Sequence, residues 1–186
     1  MLPAMGDFLV ETADLLRRTP EVIRALLHDL PESWANTPDK DGGWTPKDVV
    51  GHLVTAELDN YLARARHIVE HGAAIPFEPF DRFAMLERDA NATLDELVDR
   101  FAQLRAANLA KLGELVGDGD LDRSGLHPAL GEVTLRELLA TWSVHDLDHT
   151  SQIFAGMAGS HDRDVGAWKR YLGILLRRDD PAAVAG

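Results

Sequence analysis

The stretch Thr134-Leu-Arg-Glu-Leu-Leu-Ala-Thr-Trp-Ser-Val-His-Asp-Leu-Asp-His-Thr-Ser-Gln-Ile153 decides how this chain is read. Thr134 and Glu137 have the spacing of a capping box, in which each side chain satisfies the other's orphan backbone donor. Leu138, Trp142, Ile153 and Gly156 then share one arc of a helical wheel, so the spacing predicts a helix from about residue 135 to 158. His145 and His149 lie one turn apart, about 40° from each other, inside that apolar arc. Imidazoles aimed at an interior have two readings. They are core-edge histidines hydrogen-bonded to neighbours, or two ligands of one divalent cation. Two ligands alone do not complete a metal site.

Working outward, the same start signal recurs. Thr93-Leu-Asp-Glu96 is another capping box, and Thr19-Pro20-Glu21 and Thr45-Pro46-Lys47-Asp48 place proline at a first helical position. Each precedes an amphipathic run. The runs cover about 7–30, 46–71 and 94–116, with a shorter one at 164–178. Thr19-Pro20 is expected to kink or split the first. The third carries Leu94, Leu97, Val98, Phe101, Leu104, Leu112 and Leu115 on one face. No run alternates apolar and polar residues, so strands are not expected. Two connections are long, 73–91 with a short helix through Phe83 and Leu86, and 117–133 with four glycines. Connections of that length can cross a bundle. The expectation is an all-α helical bundle with at least one crossover, in a single domain.

The 186 residues suffice for one substantial core. The net charge of −12 argues against nucleic acid and against anionic membrane surfaces. No apolar run is long enough for a membrane span. Cysteine is absent, which excludes disulfides, thiolate ligands and a sulfur nucleophile on the protein. With no recognisable secretion signal, a cytoplasmic location is expected.

The other histidines read differently. His67 and His71 repeat the four-residue spacing, but near a helix C-terminus, where an imidazole meets open carbonyls and the helix dipole. His28 has the same reading. His127 precedes Pro128 in a loop and either orients a substrate or does nothing, and His161 sits in a polar turn. His52 falls at the margin of the apolar face in Trp44-Thr-Pro-Lys-Asp-Val-Val-Gly-His-Leu-Val-Thr-Ala-Glu57, and periodicity leaves its role open. Gly51 beside it costs a helix about 1 kcal/mol relative to alanine, which a close approach by another backbone or by a ligand would explain.

The segment Trp44–Glu57, followed by Gly131–Ile153, resembles the DinB-like superfamily, which is similar to thiol-dependent S-transferases and mycothiol-dependent maleylpyruvate isomerases. The resemblance covers about residues 7–158 and leaves 160–186 as an extension with one short helix. It implies a four-helix bundle with long crossover connections and a divalent metal, zinc or nickel foremost, held by His52, His145 and His149. It also suggests a homodimer.

Three neutral imidazoles leave at least one coordination position open, the pattern of a catalytic metal. The resemblance points first to a transferase that activates a low-molecular-weight thiol and adds it to a small electrophile. Hydrolysis by metal-activated water is the alternative, and a metal-binding or oligomerising module without turnover is a third. Asp146 and Asp148 flank the pair and are either carboxylates orienting the imidazoles or exposed surface groups. Phe77, Phe80, His127 and Trp142 are expected to shape a substrate pocket. Glu57, about 140° from His52 on the same helix, is not expected at the ion.

Overall fold

The structure is a computed structural model, and it describes residues 5–178; the last part of the expected extension, 179–186, lies outside them. Four long helical segments form the body. They are α1 (Met5–Leu27), α3 (Pro46–Asp59) continued by α4 (Tyr61–His71), α6 (Leu94–Leu115) and α7 (Leu135–Gly159). Short helices α2 (Glu32–Ala35), α5 (Ala84–Arg88) and α8 (Gly173–Arg178) lie in the connections and near the C-terminal end. Capping boxes at Thr45, Thr93 and Thr134 start α3, α6 and α7, each with both reciprocal bonds made.

Both α6 and α7 pack against α1 and against α3. The first and second long segments therefore sit on one diagonal of the bundle, α1 opposite α3, and the third and fourth on the other, α6 opposite α7. The connections 28–45 and 116–134 cross those diagonals. No helix among the described residues is long and apolar enough to cross a membrane.

The apolar interior forms two clusters. One gathers Leu16, Tyr61, Ile68, Leu135, Leu139 and Trp142, and the other Ile23, Leu53, Val98, Phe101 and Ile153. Polar groups buried between them bring the metal-candidate histidines and an ionic network into the middle of the bundle.

Four expectations are corrected. The connection between α6 and α7 holds a small antiparallel hairpin, β1 (Ser124–His127) with β2 (Gly131–Thr134), paired from Ser124–Thr134 to His127–Gly131. The strands are four residues each, too short for alternation to register, and Gly131 turns with φ +80°. The run 46–71 breaks at Asn60, because the Asn108 amide takes the Glu57 carbonyl and so enters the helical ladder. Conversely, Thr19-Pro20 does not split the first helix, which runs on through Pro20 as α1. Proline has no N–H for the carbonyl of Leu16, and Arg105 Nη1 donates to that oxygen instead, at 2.7 Å. Finally, 164–178 is not one helix: a 3₁₀ turn over Gly166–Tyr171 precedes α8, with φ +49° at Gly166.

Candidate metal centre

His52 projects from the middle of α3, and His145 and His149 project from α7. His145 Nε2 lies 3.1 Å from His52 Nε2 and 3.0 Å from His149 Nε2. Packing of two helices has brought together rings that are 93 residues apart in the chain.

The outer nitrogens of two rings are engaged. His52 Nδ1 is 3.2 Å from the carbonyl oxygen of Arg82, which can only accept, so Nδ1 carries the proton and Nε2 the lone pair. His149 Nδ1 is 2.6 Å from Gln152 Oε1, and the Gln152 amide is oriented by donating through Nε2 to Asp39 Oδ2 at 3.1 Å. His149 Nδ1 is therefore the donor and its Nε2 is the free base. These outer partners hold ring orientation as they do for metal-ligating histidines in general. His145 Nδ1 is buried and has no hydrogen-bond partner among the described residues.

Two lone pairs thus converge on His145 Nε2. One proton there can serve one of the two contacts, whereas a cation at the common point serves all three rings. A tetrahedral ion with nitrogen bonds of about 2.0–2.1 Å holds its ligand nitrogens roughly 3.3 Å apart, close to the spacing found. The donor set fits a divalent cation, and these three residues could hold one.

Burial keeps the rings neutral, the form that binds metal. His52 is lowered from the usual imidazole value to about 4, by burial first and then by His149. His145 is lowered to about 2 by burial, with His149 and His52 adding to it. His149 is lowered by burial, against the opposing bond to Gln152.

The histidines form the floor of a cleft of about 640 Å³. Trp44, Phe80 and Phe83 give it aromatic walls, and Lys40, Arg82 and Asp148 give it charge. The Trp44 ring centroid lies 4.8 Å from that of His52 and 6.1 Å from that of His149. The Arg82 guanidinium sits over Trp44 at 5.4 Å and over Phe83 at 5.1 Å.

Other expected pocket residues lie elsewhere. Phe77 is buried in the first apolar cluster, and Phe80 of that pair faces the cleft. Trp142 is fully buried, stacks on Tyr61 and donates through Nε1 to Glu57 Oε1 at 3.2 Å. His127 Nδ1 accepts from the Ala129 and Leu130 amides and so caps the hairpin turn. Asp146 is neither exposed nor bonded to an imidazole: it makes a two-pronged ion pair with Arg105. Asp148 does line the cleft. What approaches Gly51 is a side chain and not another backbone: Met85 Cβ would stand 3.1 Å from an added methyl.

Sequence reasoning missed Arg105, Glu57 and Asn108 as a buried set, and missed Arg82 and Gln152 as ring partners. One signal was present. Leu97, Phe101, Arg105, Asn108 and Leu112 follow helical spacing, so two polar residues interrupt the buried stripe of α6. Arg82 acts through its carbonyl, which leaves no mark on residue type.

The DinB superfamily model matches residues 15–153, a span that contains all three histidines. YfiT of Bacillus subtilis (strain 168), provisionally named a metal-dependent hydrolase, is 27% identical over 150 residues, covering 75% of this chain and 78% of that protein. GK0616 of Geobacillus kaustophilus, with the same provisional name, is 30% identical over 142 residues, covering 74% and 78%. A solved structure of YfiT, described as a probable metal-dependent hydrolase with an unusual four-helix bundle topology, matches with a TM-score of 0.69 at 22% identity, over 89% of this chain and 87% of that one. The fold and the family model agree over three quarters of the sequence, and this chain belongs to the DinB superfamily.

Proposed function

We propose that this protein is a metal-dependent hydrolase acting on a small molecule that enters the aromatic-walled cleft. The observation that carries the reading is the convergence of three neutral imidazoles on the floor of an open cleft. The size of the cleft is in the range of small-molecule sites. The provisional names of YfiT and GK0616 support hydrolysis over the thiol transfer expected first.

His52, His145 and His149 would hold the cation, with Arg82 and Gln152 fixing the first and last of these rings. When bound, a divalent cation supplies Lewis acidity, lowering the pKa of a water and polarising a carbonyl. Trp44, Phe80 and Phe83 would seat the apolar part of a substrate, and Lys40 and Arg82 would attract a polar or anionic part. Asp148 is the one carboxylate among the described residues lining the cleft, and it is the candidate to take a proton from the attacking water.

The test is turnover of a panel of ester and amide substrates by protein loaded in turn with zinc, nickel and manganese, with and without small thiols. Thiol-independent hydrolysis that disappears with His149→Ala supports the reading. Turnover that needs a thiol in stoichiometric amount, or hydrolysis untouched by His149→Ala, overturns it.

A further inference from the structure

Beneath the histidines lies a charged group that nothing in the proposed reaction uses. Arg105 of α6 is 1% exposed, and its two carboxylate partners, Glu57 of α3 and Asp146 of α7, have fully buried side chains. Its Nη1 and Nη2 donate to the two oxygens of Asp146, at 2.6 and 2.9 Å. Its Nε donates to Glu57 Oε1 at 2.8 Å, and Nη2 lies 2.6 Å from the same oxygen. Its remaining reach goes to the Leu16 carbonyl of α1, the acceptor that Pro20 leaves without an amide. One guanidinium therefore joins all four sides of the bundle, across both diagonals.

The two carboxylates stand at particular places. Glu57 is five residues beyond His52 on the same uninterrupted helix, and Asp146 is next to His145 and three residues before His149. Asn108 and Trp142 also bond the Glu57 carboxylate, which is thus held on both oxygens. Any slide or rotation of α3 against α7 that parted the rings would have to break this set of buried charged bonds. Lysine could not reproduce it, since a single ammonium lacks the planar fork that meets two carboxylates and a carbonyl together.

We propose that Arg105, with Glu57 and Asp146, is a positioning unit that holds His52 in register with His145 and His149 before any metal arrives. The unit touches neither metal nor substrate and acts only through the two helices. It rests on the metal reading for its purpose but not for its effect on the rings, so the two can be tested apart.

The experiment compares the full chain with Asp146→Asn and Arg105→Lys, which keep shape or charge but not the fork. Leu121→Ala serves as a control for general destabilisation, as the Leu121 side chain is buried in the core and, being apolar, bonds to no member of the network. The first readout is the imidazole nitrogen spectrum of the metal-free proteins. Wild type and Leu121→Ala should each show His52 and His149 in a single tautomer protonated at Nδ1, and the two network variants should show tautomer averaging. The second is zinc titration by calorimetry, where the network variants should bind about 10–100-fold more weakly, with the stoichiometry of wild type. Should Arg105→Lys fail to fold, Asp146→Asn alone decides. Imidazole spectra and zinc affinity unchanged in a folded network variant, or changed equally in Leu121→Ala, overturn the proposal. Scrambled tautomers in the network variants alone uphold it even if wild type takes up no zinc, a result that would overturn the metal reading instead.

Discussion

His52 shows what a single residue contributes and why a helical wheel could not assign it. It falls at the margin of the apolar face of α3, 4% exposed, and its meaning comes from a carbonyl on one side and an imidazole on the other. Its proton affinity carries a stability consequence. The folded value is near 4, below the ordinary 6.5 of an unfolded chain, so between those values the unfolded state binds more protons. The contribution of His52 to the stability of the metal-free protein is therefore fully present above about pH 6.5 and is lost as pH falls toward 4, on the order of 3 kcal/mol. Denaturant midpoints at pH 8, 6 and 4.5 should show the decline, and His52→Gln should make it shallower, the part owed to His145 and His149 remaining; an equal slope in that variant would count against the burial argument. Asp148 belongs to the same scale. If it takes the proton in hydrolysis, Asp148→Asn should lower kcat by about 10²-fold or more while metal content stays constant, as checked by turnover beside elemental analysis.

Among the elements, α7 has the most to reconcile, since it supplies two histidines, Asp146 and part of both apolar clusters. Gly156 shows how tightly it is seated. A methyl there would stand 2.8 Å from the Thr37 carbonyl and 3.0 Å from Pro46 Cδ. Alanine is worth about 1 kcal/mol more than glycine inside a helix, yet overpacking against backbone costs about 1–3 kcal/mol. Gly156→Ala should lower stability in chemical denaturation, and a gain would mean that the segment before α3 yields easily. The helices themselves were readable from the sequence because capping boxes and periodicity are local. The three boxes at Thr45, Thr93 and Thr134 begin helices at the residues expected. The break at Asn60 and the unbroken course of α1 were not readable. Both depend on side chains from α6, Asn108 in one case and Arg105 in the other, that satisfy or displace a distant carbonyl.

For the molecule as a whole, the centre of the bundle is polar, and its integrity should be linked to metal. A ligand that binds only the folded state at 100 times its Kd adds about 2.7 kcal/mol. For a chain of this size that raises Tm by roughly 5–11 °C. Zinc should produce such a rise in a thermal melt, a chelator should reverse it, and His149→Ala should abolish it. An unaltered melt at saturating zinc would speak against the site.

Residue order alone established that the chain is helical, where the main helices begin, and that His145 and His149 share a buried face, since each depends on contacts within a turn or two. Resemblance to a family added His52 as a partner, and the coordinates placed its ring beside the other two. The packing of α3 against α7 set that distance, turned Asp146 inward to Arg105, left Asp148 at the cleft, and enlisted the Arg82 carbonyl and Gln152. These are meetings between groups dozens of residues apart, and they follow from how helices fill space around one another, a property that no local period encodes.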